Sequence, residues 1–152
     1  MGKFPNLFKD SISQKENSIQ FLIKHIHCNP ELPEYNNIYI PNKKENYALI
    51  SNGNEFIYKT KKSVIKRLID NKLDILEKYV DEHGDKLGKQ LLKHYNHYME
   101  DLDNEDDMKE TEEEITCLLL NMKKLIERND DDKKYLKLLE DNIHKGTPIN
   151  LE

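Results

Sequence analysis

Histidine, cysteine and lysine are the residue types here that could bind a metal, act as a base or hold a phosphate, and they gather in three places. His25, His27 and Cys28 fall within four residues. On a helix, side chains at i and i+2 diverge by about 200°, so His25 and His27 cannot share one ion there. The plainer role is structural, with one ring partly buried and the other bonded to carbonyls at a helix C-terminus. His94 and His97 stand at i and i+3, with Glu100 and Asp101 one turn on. That spacing can hold a divalent metal. It lacks the intervening glutamate of a zinc hydrolase, so His94 and His97 are candidate ligands against the simpler expectation of a polar helix face beside Tyr95 and Tyr98. The third group, Lys59, Lys61, Lys62, Lys66 and Arg67, is a candidate nucleic-acid contact. Tyr39 and Tyr58 lie beside it in sequence and could stack on bases, although strand tyrosines more often pack in a core. Specific DNA reading favours the planar fork of arginine, and arginine occurs only at Arg67 and Arg128. A solvated helix face is the simpler expectation for this cluster.

Other chemistry finds no support. There is no Gly-rich phosphate loop, no nucleophile elbow and no Cys–His pair with an orienting group, so no catalytic residue is expected. Cys28 and Cys117 are far apart and no CxxC exists, which removes a zinc finger and leaves no cofactor to expect. Residues 1–5 show no secretory signal, which favours a reducing compartment and two thiols. Basic residues number 24 and acidic residues 29, a net charge of -5, which rules out a general nucleic-acid coat. The sign is uneven, because acids pile up from Glu100 to Glu114 and at Asp130 to Asp132. No run approaches 18 apolar residues, so no membrane partner is expected.

The 152 residues suit one domain, and 36% hydrophobic content is enough for a packed core. Ser13 to Glu16 has the capping-box pattern, with Ser18 as a later N-cap. Ile19, Leu22, Ile23 and Ile26 then form an amphipathic stripe that ends near Cys28, before Pro30. Ile38–Ile40, Tyr47–Ile50 and Glu55–Lys59 read as strands, the last two joined at Asn52-Gly53. Thr60 caps a helix whose apolar set includes Val64, Ile65, Leu68, Ile69, Leu73 and Leu76, with breaks expected at Asn71 and Gly84. A further helix follows along Leu91, Leu92, Tyr95, Tyr98 and Leu102. The fold class is α+β: an N-terminal helix, a small three-stranded antiparallel meander, then a helical C-terminal half. Residues 1–100 form the module and 101–110 an acidic linker. Thr111 then caps the first helix of a hairpin over 111–152, part of the same domain. Leu118, Leu119, Leu120, Met122 and Leu125 are more apolar than one buried stripe requires, so they are the candidate interface.

The stretch Ile23 to Ile40, IKHIHCNPELPEYNNIYI, resembles a C-terminal module of giant DNA virus proteins of the mimivirus kind. There the pattern is roughly I-H-F-N-x-x-x-P-E-N-H-N, often attached to C2H2 zinc fingers. His27, Asn29, Pro33, Glu34 and Asn37 match it, whereas Cys28, Tyr35 and Asn36 depart from it. Tyr47–Ile50, Gly53–Phe56 and Val64–Asp70 are also similar, so the resemblance covers about Ile19 to Val80. It implies a viral protein without the finger, in the host cytoplasm or virus factory, with the virion as another destination. The order of His27, Asn29, Asn36 and Asn37 is superficially similar to that of HNH nucleases, which place the histidine on a strand of a metal finger. Here the histidine ends a helical stripe, and Asn36 replaces the second histidine. Asn29 and Asn37 can instead bond loop backbone, and His27 can do likewise. The expected function is a non-enzymatic protein-interaction or self-association module that binds itself or another viral protein. The alternatives are a nucleic-acid-binding protein or degenerate HNH-like nuclease, and a small virion structural component.

Overall fold

The computed structural model of the chain describes residues 6–32, 35–51 and 55–123. It has the expected α+β architecture, with helix first, a three-stranded antiparallel sheet next and helices after it. The chain divides into two compact units, Met1–His25 with Lys66–Ile115 and Ile26–Ile65 with Thr116–Glu152.

In the first unit, α1 (Leu7–Ser13) precedes a 3-10 turn (Lys15–Asn17) and α2 (Ser18–His27), whose last two residues belong to the second unit. The expected capping box at Ser13 does not form. Leu7 and Ile12 are apolar enough to bury, and they draw this segment into a helix of its own. Ser13 closes that helix, its hydroxyl donating back to the Lys9 carbonyl at 3.1 Å. Lys15 reverses the chain in the left-handed region, at φ 57°. Ser18 does not cap by accepting. Its hydroxyl donates to the Lys15 carbonyl at 2.6 Å, while buried Ser11 donates to the Ser18 carbonyl at 2.7 Å. The Ile19, Leu22, Ile23 and Ile26 stripe is buried as its spacing requires.

Helix α3 (Lys61–Leu87) starts where Thr60 Oγ1 accepts from the Ser63 N–H at 3.3 Å. It runs through both expected breaks, Asn71 and Gly84, because neither residue opposes helical geometry strongly enough to stop it. The chain turns at Gly88 instead. Its φ of 85° suits glycine alone, and α4 (Lys89–Leu102) follows. On α3 the buried positions are Val64, Ile65, Leu68, Ile69, Lys72, Leu76 and Leu87, so a lysine rather than Leu73 fills the stripe.

The acidic run expected as a linker is helical instead. Only Asp103 and Asn104 separate α4 from α5 (Glu105–Asn121). Asn104 Oδ1 accepts from the N–H groups of Asp106 (2.8 Å) and Asp107 (3.4 Å). Glu105, Asp106 and Asp107 then meet the positive end of the helix dipole. Thr111, expected as a cap, is buried inside α5 and its hydroxyl donates to the Asp107 carbonyl at 2.9 Å. Asn104→Ala should therefore cost about 1 kcal/mol in urea unfolding. An unchanged midpoint would show that α5 does not depend on this cap.

In the second unit, β1 (Ile38–Tyr39), β2 (Tyr47–Ser51) and β3 (Phe56–Thr60) form an antiparallel sheet in the order β1-β2-β3. Ile38 pairs with Ile50, and Leu49 pairs with Tyr58. Tyr47, Ala48 and Leu49 are consecutive and all buried, so both faces of the central strand are covered. Tyr47 stacks diagonally on Tyr58 at 5.4 Å. The Asn52-Gly53 turn lies outside the described residues. Among the described residues no helix is long and apolar enough to cross a membrane.

Candidate functional site

The motif residues come together around the C-terminus of α2. His27 is 7% exposed. Its Nδ1 lies 2.9 Å from the Tyr35 carbonyl and 3.3 Å from Asn37 Oδ1. A carbonyl can only accept, so Nδ1 carries the proton and donates. Asn29 Oδ1 accepts from the Glu31 N–H at 3.0 Å, an Asx turn that fixes the start of the loop. Buried Asn36 donates through Nδ2 to the carbonyls of His27 (2.7 Å) and Asn29 (3.2 Å). Asn37 also continues the sheet, since its carbonyl accepts from the Ser51 N–H at 2.8 Å. Pro33 and Glu34 lie outside the described residues. The side-chain bonds close the loop on itself, and the Asn37 carbonyl ties it to β2. Asn37 binds the His27 ring, where sequence reasoning placed it on backbone. Asn36, a departure from the motif and part of the HNH-like order in the sequence, makes two of the ties. Its signal in the sequence was position, an amide close behind a helix end whose last carbonyls need donors.

The basic cluster is divided in use. Lys61 Nζ donates to the Lys43 carbonyl at 2.9 Å, clamping the β1–β2 connection. Lys59 is half-buried on β3, whereas Lys62, Lys66 and Arg67 are exposed. Lys123 makes a second clamp that the sequence did not suggest. Its Nζ donates to the Pro41 carbonyl at 2.6 Å and lies 5.4 Å from the Tyr39 ring centre. Of the candidate interface residues, Leu119 and Met122 are core, Leu118 and Leu120 are half-buried, and Leu125 lies outside the described residues. Tyr35 is the exposed large apolar side chain among the described residues. Cys28 and Cys117 are thiols, and Cys28 Sγ reaches the Leu118 carbonyl at 3.8 Å.

In the first unit a cleft of about 580 Å³ lies between the 3-10 turn and α4. His94 and His97 both line it, with Lys15, Lys89 and Lys93. Glu16 and Asp101 form its acidic side, and Tyr98 its floor. Tyr98 is held by the Ile19 N–H, which donates to its hydroxyl at 3.4 Å. Burial pushes the Tyr98 phenol well above its ordinary range. The Nδ1 of His94 is buried and has no hydrogen-bond partner among the described residues. Among those residues no group of three or more His, Cys, Asp or Glu side chains is arranged to hold a metal. The cleft's chemistry is that of lysine ammonium groups with two carboxylates beside them.

No family model, curated protein or solved structure matches the chain.

Proposed function

We propose that the chain is a non-enzymatic protein-interaction module of a viral protein, binding a second copy of itself or another viral protein. The observation that supports this reading most is the inward use of the motif. His27, Asn29, Asn36 and Asn37 direct the bonds described above at their own loop. A buried histidine set in such a loop is a fastening, and among the described residues what remains for a partner, besides Tyr35, is the polar surface of the helices. That surface is charged rather than apolar, so recognition rests on electrostatic complementarity, which sets specificity and association rate.

Size-exclusion chromatography with light scattering, followed by native mass spectrometry of the full chain, tests the reading. A defined oligomer or a stoichiometric protein partner is the expected result. A strict monomer that carries no partner from co-expressing cells would refute it. The exposed Lys62, Lys66 and Arg67 keep nucleic-acid binding as a second reading. It requires retention on DNA that falls steeply with salt. Flat retention at low salt would remove it.

A further inference from the structure

The charges around the α4 cleft are arranged against local preference. Lys89 and Lys93 are like charges at i and i+4 on one helix, which repel. Lys89 also opens α4, where the helix dipole disfavours a cation, and the first turn carries no acid. Lys15 joins them from the 3-10 turn with its backbone at φ 57°, a conformation that costs a non-glycine residue about 1 kcal/mol. None of the three ammonium groups has an ion pair or hydrogen bond among the described residues. Three unfavourable choices that converge on one cavity are relieved together by an anion placed in it.

We propose that this cleft binds a phosphomonoester. The lysines supply compact point charges, the form in which lysine binds phosphate, and three of them balance a dianion better than a single-charged carboxylate. Glu16 and Asp101 on the same cleft oppose a second phosphate, so a polyphosphate or a nucleic-acid backbone fits poorly. Those acids suit a carrier that presents an ammonium or amide donor beside its phosphate. A phosphorylated side chain next to lysine on a partner protein has that chemistry, and so does a small free amino phosphomonoester. The choice of a protein carrier rests on the interaction reading above.

The test is calorimetric titration of the full chain with four probes. These are a phosphoserine peptide with a neighbouring lysine, the same peptide unphosphorylated, the same peptide with glutamate for phosphoserine, and free O-phosphoserine. The phosphopeptide should bind at least about ten-fold more tightly than the glutamate peptide, in keeping with the strength of charge-assisted bonds to phosphate. Lys93→Gln and Lys89→Gln, both at exposed positions, should each weaken it several-fold without lowering the melting temperature. Equal binding of the phosphoserine and glutamate peptides, no saturable binding, or indifference to both substitutions would overturn the site. Free O-phosphoserine binding as tightly as the peptide would uphold the phosphate site and count against the protein carrier. A protein partner that stays bound to both variants would overturn the cleft assignment while leaving the interaction reading in place.

Discussion

Lys72→Met is expected to stabilise the fold at pH 7 by about 3 kcal/mol, and the gain should vanish in alkali. Lys72 is 4% exposed on the core face of α3, among Leu68, Ile69 and Leu76. Its one hydrogen bond described is donated to Asn71 Oδ1 at 2.9 Å. Burial takes the ammonium out of water and lowers its pKa from 10.5 to about 8. The folded state thus binds this proton more weakly than the unfolded chain does. Below pH 8 the group is charged in both states and its full cost is present. Between pH 8 and 10.5 the unfolded chain holds the proton and the folded chain does not, so stability rises with pH by about 1.4 kcal/mol per unit. Methionine is close to lysine in volume and carries no charge, so the variant should lack this rise. Urea unfolding of both proteins at pH 7 and pH 10.5 gives the comparison. The raised phenol of Tyr98 opposes the trend in strong alkali, but it is common to both proteins and cancels in the difference. A variant no more stable at pH 7 would show that Lys72 is solvated in the native state.

Lys72 also shows where sequence patterning stops. The α3 stripe was legible from its apolar residues, but Leu73 and Lys72 are neighbours and only packing decides which turns inward. Leu73 ends half-buried, while the lysine occupies the i+3 place after Ile69. The sheet was readable because β-branched and aromatic runs alternate with prolines and Asn-Gly, and the strands fall within a residue or two of those runs. Acid density misled at Asp101 to Glu110. The same charges that suggest a linker also favour a helix N-terminus, and Asn104 decides for the helix by capping it. The cleft was half visible. The spacing of His94 and His97 put them on one face of α4, but no pattern in the sequence could bring Lys15 across from the 3-10 turn to meet them.

Asn36→Ala is expected to cost about 3 kcal/mol, more than a typical polar substitution, because one side chain serves two carbonyls. Asn36 is 8% exposed, and its amide donates to His27 at 2.7 Å and Asn29 at 3.2 Å. Removing it leaves both acceptors without this donor in a loop that two prolines already deprive of N–H groups. Asn36→Asp should be worse than alanine at neutral pH, since a carboxylate would face two carbonyl oxygens at hydrogen-bond distance. Asn36→His separates the two accounts of the motif. A neutral imidazole has one N–H, so it can satisfy only one of the two carbonyls, and an intermediate loss of about 1 kcal/mol follows. If Asn36 were the remnant of a lost catalytic histidine, the histidine variant would instead be tolerated without loss and would gain metal-dependent cleavage of DNA. Urea midpoints for the three variants, with a nuclease assay on Asn36→His, decide between them. The order alanine and aspartate below histidine, histidine below the natural protein, and no cleavage, would make this residue a two-donor tie that locks the end of α2 to its own loop.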